Sequence, residues 1–188
     1  VVQGRAQAAA FRDALGTYFP RAFADAFLTQ TAPHMGIRES RRILGDYVFT
    51  LEDYLNRSTF PDEICRNHYF VDVHPTPTEA ADRSGWHSDD RYEKYRPGES
   101  HGIPYRCLTP KGLTNVLTAG RCLSCDHASQ GSLRVMPACL TTGEAAGIGA
   151  ALALKEKTID VHKPPIREIR KLLRENGAYL PETQEETK

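Results

Sequence analysis

The chain has 188 residues, enough for one domain with a real core, with Lys+Arg and Asp+Glu both at 24. Zero formal net charge leaves no electrostatic footprint for nucleic acid or an anionic membrane. A mean hydropathy of -0.49 fits a soluble globular chain, and no apolar run approaches the ~20 residues of a membrane span.

Five cysteines at uneven spacing argue against a disulfide framework and for a reducing compartment, the cytoplasm. The start carries no signal-peptide pattern. Gln3 to Leu15 reads as a helix ended by Gly16. Pro20 starts a second short helix with Phe23, Phe27 and Leu28 on one side, so residues 1–32 form a helical segment. Ile37 to Ile43 is expected as a strand and Gly45-Asp46 as a turn. Thr50 is expected to cap a helix from Leu51 to Leu55, with Asp53 at the capping-box position. Arg38, Arg41 and Arg42 have forks that suit an anion, or they form a salt-bridged strand edge with Glu39.

Phe60 to Asn67 reads as a short turn or helix. Tyr69 to His74 reads as a strand ended by Pro75, with His74 and Asp72 on its polar side. Residues 76–100 form a long loop with Trp86, Tyr92 and Tyr95, either a substrate cover or a mobile insertion. Gly102 to Leu108 is a strand entered through Pro104, and Thr109 to Gly112 a turn.

The stretch from Asn115 to Leu154 organises the rest. Val116 to Ala119 is a short bounded apolar run, expected as a buried strand stopped by Gly120. A loop with Gly131, Ser132 and Arg134 leads to a helix from about Pro137 to Lys155. Strand, glycine loop and helix N-terminus is an arrangement that binds anions. By spacing alone an ordinary βα connection fits as well, because the loop is neither GxGxxG nor Walker A. Cys139, Gly143, Gly147 and Ala151 stack along one face. Each mid-helix glycine costs about 1 kcal/mol, so a close neighbour is expected there: a sheet, a second helix or a cofactor. Cys122-x2-Cys125 with His127 and Cys139 has some ligand types for zinc or an iron–sulfur cluster, but one CxxC without a second pair is a weak signal. Burial as small side chains is the alternative. After a linker over 160–165, an amphipathic helix runs to Asn176 with Ile166, Ile169, Leu172 and Leu173 inward, its Arg and Lys residues outward, and Gly177 as its cap. Residues 181–188 are an acidic tail.

The text AGRCLS, then HASQGSLRVMPAC and TGEAAGIGAALA, closely resembles the C-terminal flavin-binding segment of a family of FAD-dependent oxidoreductases. That family is related to the heterodisulfide reductase A subunit and, more distantly, to the fumarate reductase flavoproteins. HMGIRESRRILGDYVFTLEDYL, FPDEICRNHYFVDVHP, IPYRCLTPKGLTNVLTAGR and LLRENGAYL extend the resemblance over most of the chain, leaving out the tail and residues 76–99. It implies an α/β fold, with part of a β-rich substrate domain over 33–114 and the C-terminal part of a Rossmann-like FAD-binding domain over 115–180.

It further implies that amides around Val135, Met136, Ala138 and Cys139 meet the electron-rich edge of the flavin. Ala119, Gly120 and Arg121 would lie along the ribityl chain or pyrophosphate, and Gly131, Ser132 and Arg134 around the ring. His127 would give or take a proton there. Arg38, Tyr105 and Arg106 would line the pocket of a small polar or anionic substrate. No metal is implied. The fingerprint that holds the ADP half of FAD, GxGxxG after a strand, does not occur in these residues. The expectation is therefore the C-terminal part of a longer flavoprotein, whose missing N-terminal half is its first partner. A rival is a binding or assembly module that kept the fold and lost redox chemistry. A metal-thiolate protein is a third reading.

Overall fold

The structure, a computed structural model, describes residues 1–73 and 94–182. The chain divides into two compact units, residues 1–38 and 39–188. His74, Trp86 and Tyr92 lie outside the described residues.

The first unit holds helices α1 (Val2–Tyr18) and α2 (Pro20–Phe23) and an irregular segment to Arg38. Helix α1 continues through Gly16, because Thr17 Oγ1 and the Phe19 N–H close the last turn onto Asp13 O and Leu15 O at 2.9 Å. Phe27 and Leu28 fall beyond α2. No described residue of this unit is buried, and Phe11, Phe19 and Phe27 are exposed.

The second unit is a mixed α/β arrangement around a small sheet. Strands β1 (Glu63–Asn67) and β2 (His101–Pro104) pair antiparallel, Asn67 opposite His101 and Glu63 opposite Pro104, with a bulge between Glu63 and Cys65. Helix α3 (Leu51–Leu55) has the expected capping box: Thr50 Oγ1 accepts the Asp53 N–H, and the Asp53 carboxylate accepts the Thr50 N–H at 2.9 Å. Helices α4 (His127–Leu133), α5 (Met136–Lys155) and α6 (Ile166–Glu175) follow. Both α5 and α6 pack on β1 and on each other. Phe49, Tyr54, Ile64, Ile103, Leu133 and Ile169 belong to the core between them. No single helix among the described residues is long and apolar enough to cross a membrane; α4 and α5, which together pass by length and composition, meet at an 89° bend.

Several expected elements are corrected. Residues 37–43, 69–73 and 116–119 form no strand. Strand geometry persists only where a ladder of bonds supports it. Here the neighbours supply isolated bonds instead, such as Ile43 N–H to Cys122 O and Thr118 N–H to Leu108 O, each 2.9 Å. Residues 63–67, expected as turn or helix, are β1. The strand expected over 102–108 stops at Pro104 and tightens into a 3-10 turn over Tyr105–Cys107. Gly131 and Ser132 lie within α4 rather than in a loop. Arg170, expected outward on α6, is 1% exposed and donates to Glu63 O and Pro181 O, each 2.5 Å. It joins α6 to the sheet and to the segment after Gly177.

Candidate functional site

The second unit brings together two stretches far apart in sequence. A 3-10 turn over Gly120–Cys122 packs against the first turns of α5. The Gly120 N–H donates to Thr142 Oγ1 at 3.0 Å. Gly120 has φ +69°, the left-handed region that glycine enters without strain. A methyl group built there would lie 3.5 Å from Cys139 Sγ. Ala119, Gly120 and Arg121 are thereby set beside Met136, Ala138 and Cys139.

Helix α5 begins without a side-chain cap at Val135, and Pro137 in its first turn has no N–H to offer. The N–H groups of Met136 and Ala138 have no partner among the described residues. Open amides at the start of a 20-residue helix carry the positive end of its dipole. Met136 is 80% exposed, Arg121 is exposed and Ala138 is buried.

The remaining residues implied for the flavin are engaged inside the protein. Gly131 backs onto the chain at Asp72 and Val73, where an added methyl group would come within 2.7 Å of Val73 Cγ2 and 3.0 Å of the Asp72 backbone. Ser132 Oγ donates to Tyr69 O at 2.6 Å and accepts from Asn67 Nδ2 at 2.9 Å. Its hydroxyl thus belongs to a buried chain of bonds. Tyr95 Oη donates to Tyr54 O, so it accepts from His101 Nδ1 at 2.7 Å, and His101 Nε2 faces Asn67 Nδ2 at 3.5 Å. Burial, with Arg66 and His68 nearby, holds His101 neutral, down to about 3. Arg134 donates to Asp72 O at 2.5 Å and Gln130 Oε1 at 3.3 Å.

Glu39 gathers a polar cluster at the start of α4. Its carboxylate accepts from Arg42 and from His127 Nδ1 at 2.9 Å, and Arg134 lies 3.7 Å away. Burial alone would raise this carboxyl, but the bonds from His127 and Arg42 outweigh it and hold the group below the ordinary carboxylate value. His127 is 65% exposed, and its Nε2 has no partner among the described residues.

Tyr105 and Arg106 sit together at a cleft of about 390 Å³. Arg106 grips Asp62 through Nε at 2.9 Å and Nη2 at 3.1 Å, with its guanidinium 5.1 Å from the Tyr47 ring centre. Tyr105 is buried against Gly149, its hydroxyl has no partner among the described residues, and burial pushes it up to about 12. Arg38 belongs to the first unit and is exposed.

All five cysteines are free thiols. Cys65, Cys107 and Cys125 are buried, which pushes Cys65 up to about 11 and Cys125 to about 12, so they stay protonated. Among the described residues no group of three or more His, Cys, Asp or Glu could hold a metal ion.

Spacing signalled the Glu39–Arg42 pair, but not the bond of Glu39 to His127, 88 residues away, nor the contact of His101 with Asn67, 34 residues away. A family model described as FAD dependent oxidoreductase matches residues 1–173. No curated protein and no solved structure matches. The uncapped start of α5 and the glycine turn beside it fit a flavin: open amides, a backbone without a side chain, and an exposed arginine. Gly131, Ser132 and Arg134 are instead engaged with the segment over residues 69–73 and with Gln130.

Proposed function

We infer from one premise — the chain belongs to the FAD-dependent oxidoreductase family, whose cofactor is FAD — that it supplies the ring and ribityl side of a flavin site. FAD, when bound, supplies the hydride and electron transfer itself. The protein's part is to hold and orient it. The open amides of Met136 and Ala138 would stabilise negative charge at the ring edge, as donors aimed at developing charge do. Gly120 would let the backbone approach the ribityl chain, with Ala119 and Val135 beside it, and Arg121 would meet a phosphate. Gly131, Ser132 and Arg134 would act from behind, fixing α4 and the bend into α5. The single observation that carries this reading is the bond from Gly120 to Thr142, which joins the glycine turn to the start of α5.

His127, with Nδ1 bound to Glu39, would hold or move a proton at Nε2. Tyr105 and Arg106 would form a pocket for a small polar or anionic substrate, and Arg38, in the first unit, is a separate candidate for an anion. Our finer assignment is to the heterodisulfide reductase A-like branch, with residues 115–180 as the C-terminal part of a Rossmann-like domain and 33–114 as part of a substrate domain. It rests on the AGRCLS and GSLRVMPAC stretches. The five free thiols favour the cytoplasm.

These residues hold no GxGxxG, so the ADP half of FAD would be bound by a companion segment. Helix α5 offers it a surface. Met136, Leu140 and Leu154 are 74–80% exposed, and Gly143 and Gly147 between them have nothing within 4 Å. A helix apolar on all sides is normally covered.

The test is to titrate FAD, FMN and ADP separately into the chain and follow backbone amide shifts. FAD and FMN should shift Gly120, Arg121, Met136 and Ala138, and ADP should not. Shifts from ADP alone, or flavin shifts confined to other residues, would reject the assignment.

A further inference from the structure

The cleft that holds Tyr105 and Arg106 is completed by a second stretch, His162 to Pro164. His162 Nδ1 lies 2.5 Å from Asp46 Oδ2 and Nε2 lies 2.7 Å from Leu113 O. A carboxylate and a carbonyl can only accept. A neutral imidazole has one N–H and one lone pair, so it can satisfy one of these two partners and repels the other. Both are satisfied only when both ring nitrogens carry hydrogen.

We propose that His162 is the positioning residue of this cleft, an imidazolium clasp that fixes residues 158–165 on the 109–114 loop and releases them on losing its proton. The proposal rests on the reading of Tyr105 and Arg106 as pocket residues for the claim about the cleft, and on geometry alone for the clasp. Each end of the clasp is itself anchored. Asp46 also accepts the Thr109 hydroxyl at 2.8 Å, and the Val161 N–H donates to Thr114 O at 2.9 Å. The charged groups near the ring are Asp46 and, on its own segment, Asp160, which accepts the His162 backbone N–H at 3.0 Å. Lys111 lies near Asp46, and Lys163 is 3.8 Å from Asp160. The Leu113 carbonyl first, then Asp46, raises the His162 value above its ordinary 6.5, against a smaller desolvation effect.

The sign follows. A histidine raised in the folded state contributes its full stability below the unfolded value of 6.5 and loses it as pH rises through the folded value. The clasp is closed below 6.5 and opens as pH rises through the raised folded value. Opening frees the segment that carries Lys163, which is 87% exposed and lines the same cleft as Arg106.

The test uses the full 188-residue chain. Ring nitrogen NMR should show a His162 midpoint above 6.5, with both ring nitrogens protonated below it. Amide exchange in 109–114 and 158–165 should accelerate by about tenfold as pH rises through that midpoint, after correction for base catalysis, as expected for loss of a charged hydrogen bond. In His162→Gln the exchange should be fast at every pH. Asp46→Asn, which keeps the shape and removes the charge, should lower the midpoint. A midpoint at or below 6.5, or the same exchange profile in His162→Gln as in the parent, overturns the clasp. Inorganic sulfate serves as probe for the cleft, with amide shifts at Arg106 and Lys163. Binding that weakens through the His162 midpoint in the parent and is flat in His162→Gln supports the positioning role. Sulfate binding that ignores pH overturns that role, and a titrating clasp without sulfate binding rejects the pocket reading instead.

Discussion

Gly149 of α5 leaves the space in which the Tyr105 ring lies: a methyl group built on it would come within 2.6 Å of the phenol oxygen and 3.0 Å of the ring. Glycine in the helix is here the condition for seating a buried aromatic. Gly149→Ala should therefore destabilise the fold by about 1–3 kcal/mol through overpacking. Gly143→Ala and Gly147→Ala, with nothing within 4 Å, should instead stabilise it by roughly 0.5–1 kcal/mol. Urea unfolding of the three variants checks both signs, and equal effects would refute the packing argument.

The Tyr105 hydroxyl is buried without a partner among the described residues. Removing such a group removes a desolvation cost, so Tyr105→Phe should raise stability by about 1 kcal/mol. Tyr105→Ala should lower it by about 3–5 kcal/mol, because the ring itself is core. A loss of flavin-dependent turnover in Tyr105→Phe despite higher stability would mark the hydroxyl as one that reaches substrate.

Arg170 is buried and satisfies two backbone carbonyls. Arg170→Met should cost about 3 kcal/mol or more, since both acceptors lose a charged donor. Lys171→Ala, one residue along on the exposed face, should stay within about 0.5 kcal/mol. Thermal unfolding of the pair measures the contrast.

His101 stays neutral in the fold, down to about 3, while an unfolded histidine titrates near 6.5. The unfolded chain therefore binds the extra proton first. Stability is full above 6.5 and falls as pH drops toward 3, by up to about 1.4 kcal/mol per pH unit from this group. Glu39 and Asp46, held below their ordinary values, add losses at the acid end of the same range. Ring NMR showing His101 protonated in folded protein at pH 5 would contradict this account.

What the sequence made legible were the elements whose signals are local. Thr50 and Asp53 announce α3 by themselves, since their bonds close within four residues. Helix α5 begins one residue before the expected Pro137 and ends at the expected Lys155. Gly177, at φ +97°, ends α6 as expected of a glycine there. Short apolar runs mislead, because Val116 to Ala119 is strand-like in composition but has no ladder, only the Thr118 N–H donating to Leu108 O. Strand β1 was missed for the opposite reason: Glu63 and Arg66 look exposed, yet they neutralise each other at 3.0 Å within the fold. At the candidate site, the nearness of Gly120 to α5 was legible as a resemblance. The inward orientation of Ser132 was not, because its partners Tyr69 and Asn67 are set by tertiary packing.

Asp126 precedes α4 and caps it, its Oδ1 accepting the Ser129 N–H at 2.7 Å, while Oδ2 accepts the Leu51 N–H at the start of α3, also at 2.7 Å. One carboxylate thus serves two helix beginnings. Neither can fray alone without stranding an acceptor needed by both, so residues 51–55 and 127–133 should melt as a single cooperative unit with a shared opening free energy.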